Sequence, residues 1–198
     1  MITPRITGTG LFTLDAVPIP GSPQYRLFAG GSSINVLTIL ATEGWDAYPV
    51  GCIGRDRASA YFMQDLSRFG LNLDFILQKT ESAMPVYVQI SHAESHQFVR
   101  QCPACGAEFS HYDAISEAEA EAITAALPGP FDWVYLERVA PGALHFAKRC
   151  KAKGARLYFE PNRIDNEALF LECLRFADVF KYSHERYEMM EHRSGSIP

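Results

Sequence analysis

Several things are scarce in this sequence, and each scarcity excludes a class of protein. No stretch of apolar residues approaches the roughly 18 needed to span a membrane. The first residues, Met1-Ile2-Thr3-Pro4-Arg5, lack the apolar core of a secretory signal. Basic residues are outnumbered, 18 Lys and Arg against 23 Asp and Glu, for a formal net charge of −5. No Lys/Arg cluster stands out, so neither a nucleic-acid nor a membrane-surface partner is expected. There is no internal repeat and no low-complexity tract. Cysteines number five, an odd count, with Cys52, Cys150 and Cys173 in apolar or helical contexts. That fits small hydrophobes in a reducing compartment, and a cytoplasmic location is expected.

What remains is a globular composition: 198 residues, 47 % hydrophobic and 21 % charged. At roughly 150 residues per domain this is one large domain, or one with a small excursion. Residues 5–12 read as a Gly-interrupted strand, followed by Asp15 and the turn Pro18-Ile19-Pro20-Gly21. Residues 25–28 read as a short strand. Gly30-Gly31 opens a helix over 32–43 whose apolar residues lie nearly all round, which predicts burial on most sides. A strand over 47–53, a helix from Asp56 to about Phe69 and a strand over 73–78 follow. Residues 85–91 and 96–101 read as a hairpin around 92–95. Ser116-Glu117-Ala118-Glu119 is a capping box that starts a helix to Leu127. The rest alternates: strand 132–136, helix 141–153, strand 155–159, helix 166–176, strand 178–182, and a helix from about 184. Such alternation predicts crossover units and a parallel sheet. The hairpin and the 25–28 strand do not fit that rhythm and predict a small second sheet.

Polar residues gather where strands end. Ligands of open α/β sheets bind beyond the carboxyl ends of strands. Asp15 could accept two hydroxyl hydrogen bonds from a polyol, or merely order its turn. Gly30-Gly31-Ser32-Ser33-Ile34-Asn35 could bring backbone close to a ligand and offer free first-turn N–H groups. Asn35, on a helix expected to be buried, would need a partner such as a sugar hydroxyl. A Gly-rich turn with a backbone-bonded Asn is the rival reading. Gly51-Cys52-Ile53-Gly54-Arg55-Asp56 is neither a P-loop nor a dinucleotide fingerprint. A tight strand-to-helix turn capped by Asp56 is favoured there over a phosphate site. Glu137, Asn162 and Arg163 stand at two further strand ends.

These residues and their order resemble the ribokinase-like (PfkB) family of sugar and nucleoside kinases. The resemblance rests on Asp15 after a Gly-containing strand, Ala29-Gly30-Gly31 with Asn35, and Gly51-x-x-Gly54-x-Asp56. Glu160-Pro161-Asn162-Arg163 and Lys181-Tyr182-Ser183-His184-Glu185 continue it in matching order. It implies an α/β fold, a three-layer αβα sandwich with a mostly parallel central sheet and a small β-sheet lid. The lid would take in about residues 15–30 and 84–112, close over the substrate and pair two protomers as a homodimer. By the resemblance, Asp15, Gly30, Gly31, Asn35 and Glu137 would hold a sugar or nucleoside acceptor, with Thr13 as a further polar contact. ATP and Mg2+ would be linked to Asn162, Arg163, Ser183 and Glu185.

The sequence also departs from the family pattern. The late Gly-Ala-Gly-Asp segment, whose Asp is the family's base, does not occur in these 198 residues. Ser183 stands where the family has Asn, Arg186 where it has Glu, and Glu185 falls one place early. The chain therefore reads as the N-terminal two-thirds of such a kinase, with little transfer activity expected of the 198 residues alone. The alternative is a binding module of the same fold that holds a polyol or nucleoside without catalysis. A third reading starts from Cys102-Pro103-Ala104-Cys105-Gly106, which has the shape of half a zinc knuckle. Zn2+ there would need two more ligands, from His92, His96, His111 or a second protomer. A redox pair and two plain turn thiols are the other readings, and a metal-free turn ranks first.

Overall fold

The computed structural model describes residues 3–91, 96–162 and 164–183. Its central sheet has the order β11-β10-β9-β1-β4, from Val179–Phe180, Arg156–Phe159, Trp133–Leu136, Arg5–Thr9 and Asp46–Pro49. Every pairing in it is parallel. A second sheet has the order β3-β2-β7-β8, from Tyr25–Gly30, Thr13–Pro18, Val86–Ser91 and His96–Val99. Strands β5 (Gly51–Ile53) and β6 (Ile76–Gln78) pair apart from both. The α/β sandwich with a β lid expected from the sequence is the observed architecture.

The helices are α1 (Ser32–Thr42), α2 (Arg57–Leu66), α3 (Glu117–Ala126), α4 (Pro141–Ala152) and α5 (Glu167–Phe176). Crossover handedness decides which side of the sheet they cover. The chain steps from β1 to β4 in one direction and from β9 through β10 to β11 in the other. Right-handed connections therefore put α1 on one face and α4 and α5 on the opposite face. The side chains follow this division. Val134, Leu136, Leu157 and Phe159 point into the core under α3, α4 and α5, while Tyr135, with Ile6 and Leu37, belongs to the core under α1.

Over β9–β11 the α1 side carries no helix among the described residues. A cavity of about 470 Å³ lies there, lined by Ile39, Trp45, Trp133, Tyr135 and Tyr158 among others. This corrects the expectation that α1 is buried on most sides. Ile39 is 62 % exposed and only Ser33, Ile34 and Leu37 are buried, because among the described residues nothing covers the flank that Ile39 and Leu40 turn to the cavity.

Two predicted strands are each divided. Residues 5–12 do not form one strand: β1 ends at Thr9, the chain turns a corner at Gly10-Leu11-Phe12, and β2 begins at Thr13 in the lid. Asp15 consequently lies inside a lid strand rather than in a turn beyond the first strand. Residues 47–53 separate at Val50, whose N–H still bonds the Gly8 carbonyl at 2.8 Å. A Cβ at Gly51 would come within 2.6 Å of the Phe12 ring, so the absent side chain lets the strand leave the sheet over that ring. The expected helix to Phe69 ends at Leu66, and the strand expected over 73–78 is three residues long. The capping box forms as expected: Ser116 accepts from the Glu119 N–H, and Glu119 accepts from the Ser116 N–H at 2.7 Å. The helix expected from about 184 and the turn at 92–95 lie outside the described residues.

Candidate functional site

The candidate site is built where the core sheet hands the chain to the lid. The corner at Leu11 is held from two sides. Its N–H donates to Glu137 Oε2 at 2.8 Å, and its carbonyl accepts from Ser33 Oγ at 3.3 Å. Glu137 follows β9 and is fully buried, with Oε1 3.1 Å from Arg138 Nε. Its carboxylate thus meets the chain's own groups and fixes the entry of β2. Gly10 suits this grip, since a Cβ there would stand 2.9 Å from Glu137 Oε2.

Strand β2 then presents Thr13 and Asp15. The Thr13 hydroxyl donates to Asp15 Oδ1 at 2.7 Å. Across the antiparallel ladder Thr13 faces Gly30, the last residue of β3. A side chain on Gly30 would collide with Asp15 Oδ2, so glycine there keeps the carboxylate in place. Burial pushes the Asp15 carboxyl above its ordinary range, against the opposing pull of the Thr13 hydroxyl. Gly31 follows with φ +98° and is the N-cap of α1. A Cβ on Gly31 would run into the Leu11 carbonyl, a backbone group that cannot swing aside. No side chain caps α1, and its first turn holds no acidic residue. The positive end of the helix is thus joined directly to the strand that pairs with Asp15.

The structure therefore brings Thr13, Asp15, Gly30 and Gly31 together. Asn35 lies one turn along α1, its N–H bonded to the Gly31 carbonyl at 2.9 Å. Its side chain is exposed, which corrects the expectation of a buried amide in need of a partner.

Gly54 to Asp56 is the tight turn from β5 into α2, as favoured from the sequence. Asp56 Oδ1 accepts from Ser59 N–H at 2.8 Å and caps α2, while Oδ2 accepts from Met84 N–H at 2.9 Å. Gly54 is needed because a Cβ would sit 2.5 Å from Asp56 Oδ2.

The residues tied to nucleotide and Mg2+ are only partly described. Asn162 is half-buried after β10 and Ser183 is exposed after β11, whereas Arg163, Glu185 and Arg186 lie outside the described residues. Glu160, just before Asn162, takes a hydrogen bond from Tyr135 OH at 3.2 Å and an ion pair from Lys181 at 2.9 Å. Among the described residues no group of three or more His, Cys, Asp or Glu side chains is placed to hold a metal ion. The same fact bears on Zn2+ at Cys102 and Cys105: among the described residues no completing ligand joins them, and the candidate His92 lies outside those residues.

Two buried groups carry no signal in the sequence. Thr9 Oγ1 and Tyr112 OH are buried without a hydrogen bond of ordinary geometry. They flank the Glu137–Arg138 pair. Burial, followed by the Glu137 charge, pushes the Tyr112 phenol up, against a weaker opposing pull from the Thr9 hydroxyl. Tyr112 sits in an unpatterned loop, and only the fold brings it to the ends of β1 and β9.

The small β lid over a parallel αβα sheet is the fold that the resemblance implies. The family comparison agrees: residues 11–196 match the pfkB family of carbohydrate kinases, and the chain belongs to that family. The comparison with curated proteins returned no match. Among solved structures, the chain is similar to 2-dehydro-3-deoxygluconokinase from Thermotoga maritima, with a TM-score of 0.73 and 16 % identity over 93 % of this chain and 61 % of that one. It is also similar to ATP-bound fructokinase from Xylella fastidiosa, with a TM-score of 0.74 and 16 % identity over 97 % and 62 %. A fructokinase from Vibrio cholerae O395, bound to fructose, ADP and calcium, gives a TM-score of 0.72 and 18 % identity over 96 % and 63 %. The chain thus spans about three-fifths of the length of these structures. Among the described residues no helix is long and apolar enough to cross a membrane.

Proposed function

We propose that this chain carries the acceptor-binding part of a cytoplasmic kinase that transfers the ATP γ-phosphoryl group to a hydroxyl of a sugar or nucleoside. One observation carries the reading: Asp15 is a partly desolvated carboxylate on a rung of the lid next to an uncapped helix start. Asp15 accepts hydroxyl hydrogen bonds from the acceptor, and the Thr13 hydroxyl holds it in line to do so. The N–H groups at the start of α1, with the exposed amide of Asn35 one turn along, supply donors. Glu137 acts from beneath as a positioning residue, because it fixes the Leu11 corner from which Thr13 and Asp15 project. Closure of the lid removes water from the acceptor hydroxyl before transfer. Phosphoryl transfer itself depends on positioning and charge stabilisation. Asn162, Arg163, Ser183 and Glu185 are assigned to the nucleotide side. Mg2+ enters as the companion of ATP, with no step assigned to it here. The exposed Leu27 and Phe28 of β3, with Ile90 and Phe98, make the lid the surface through which two protomers would pair.

The second reading is a binding module that holds the same ligand without transfer, and it rests on the same Asp15 and helix-start geometry. Calorimetry over a panel of sugars and nucleosides, with ADP release measured in parallel, separates the two. The fructose and ADP bound by the Vibrio cholerae enzyme place ketohexoses in that panel. Binding with ADP release supports the kinase, and binding without it supports the module. Asp15→Ala removes a charged acceptor of two hydroxyls, at about 3 kcal/mol in total, and is expected to weaken binding about a hundredfold. Unchanged affinity in that variant would exclude Asp15 from the site under both readings.

A further inference from the structure

The Cys-Pro-Ala-Cys motif takes no part in the site described above. It occupies the tip of a narrow antiparallel excursion that extends β8. Phe109 N–H bonds the Arg100 carbonyl at 2.9 Å, Gln101 bridges Glu108, and Cys102 N–H bonds the Ala107 carbonyl at 2.8 Å. The turn closes with Gly106 N–H on the Cys102 carbonyl at 2.8 Å, and Gly106 adopts φ +73° to allow it. An Arg100–Glu108 ion pair at 3.2 Å spans the base. The tip is therefore a fixed loop rather than a loose one.

Within it the backbone N–H groups of Ala104 and Cys105, with the Cys105 thiol, pull the Cys102 thiol below its ordinary range. Cys105 is exposed and Cys102 half-buried. The remaining cysteines differ: Cys52, Cys150 and Cys173 are buried, and burial pushes their thiols up to about 11, 12 and 12. Thiolate, not thiol, is the nucleophile, so those three are shielded both by access and by protonation. Only the pair at the tip combines access, a neighbouring sulfur and N–H groups directed at one of the two.

We propose that Cys102 and Cys105 form a thiol–disulfide exchange site on the lid, with a small-molecule disulfide of the glutathione type as co-reactant. Cys102 is the attacking thiolate. It displaces one thiolate from the small disulfide and forms a mixed disulfide. Cys105 then loses its proton to solvent and attacks the Cys102 sulfur, expelling the second small thiolate. The two protein thiols give up two electrons, the small disulfide takes them, and two small thiols are released. Cys102 and Cys105 stand three residues apart in one closed turn, from which a disulfide of about 2.05 Å would form. The inference stands apart from the acceptor site and does not depend on it.

The test uses the 198-residue protein in mixtures of reduced and oxidised glutathione, read by maleimide labelling and intact mass. In reducing mixtures two of the five thiols are expected to label quickly, and the other three only after unfolding. In oxidising mixtures the quick labelling disappears, the mass falls by about 2 Da, and the buried three still label after unfolding. Cys105→Ser, at an exposed position, then traps one glutathione on Cys102, a gain of about 305 Da. The proposal is overturned if both tip thiols stay reactive in the most oxidising mixture. It is equally overturned if each takes its own glutathione without a bond between them, or if labelling requires a chelator, which would mean that a metal holds the pair.

Discussion

Asp56 joins two parts of the chain through a single carboxylate, and its replacement gives a calculable loss. Oδ1 caps α2 at Ser59 N–H, and Oδ2 receives the N–H of buried Met84. Asp56→Ala removes the cap, at about 1 kcal/mol. It also takes the acceptor from the part-buried Met84 N–H, at about 1–3 kcal/mol. The sum, about 2–4 kcal/mol, is a large share of the 5–15 kcal/mol typical of a domain. With a urea dependence of about 2 kcal/mol per molar, the unfolding midpoint should fall by about 1–2 M. Asp56→Asn keeps one oxygen for one of the two donors and turns an NH2 toward the other, so its midpoint should fall about half as far. Urea titration of the three proteins, followed by far-ultraviolet circular dichroism, measures both shifts. An Asp56→Ala midpoint within about 0.3 M of the parent would refute the argument, and so would an Asn variant less stable than the Ala variant.

Two further outcomes follow from the same geometry. Burial raises the Asp15 carboxyl in the folded state. Its contribution therefore favours folding at low pH and is lost as pH rises through the raised value, leaving a penalty near neutrality. Asp15→Asn should be more stable than the parent at about pH 7, and the gap should close as both approach the ordinary carboxylate range. A variant less stable than the parent at neutral pH would contradict this sign. Both tryptophans of the chain, Trp45 and Trp133, line the open groove over β9–β11. An apolar dye should bind there and quench their emission, and Trp133→Ser should weaken the binding. Dye binding that leaves tryptophan emission unchanged would place the apolar surface elsewhere.

The alternation of strands and helices from residue 117 onward is legible in the sequence because each element satisfies its own local rule. Ser116 and Asn166 cap helices, Pro141 begins one, and Gly154 ends a turn at φ +102°. The misread elements share a different cause. An apolar run states that a segment is buried but not in which sheet. Residues 46–53 are buried throughout, apart from half-buried Asp46, yet they divide between two sheets at Val50. The departure is decided by the Phe12 ring beneath Gly51, a contact between segments about forty residues apart. Likewise, the apolar residues of α1 suggest protein on every side of the helix. Among the described residues the flank that carries Ile39 is instead open along the cavity over β9–β11.

For the site, the legible residues are those whose identity is forced by backbone. Gly31 must hold a positive φ and lie against the Leu11 carbonyl, and Gly30 must leave room for Asp15. Such demands reach the sequence as a Gly-Gly pair, which makes the helix start visible from residue types alone. Glu137 is visible as a carboxylate at a strand end, but its grip on the Leu11 N–H is not. That contact joins residues 126 positions apart. Tyr112 and Thr9 are harder still. A threonine in a strand and a tyrosine in a loop break no local rule, and their buried hydroxyls become conspicuous only once β1 and β9 lie side by side. In this fold the sequence thus exposes the parts of the site that constrain the main chain. It conceals the polar groups that tertiary packing gathers around them.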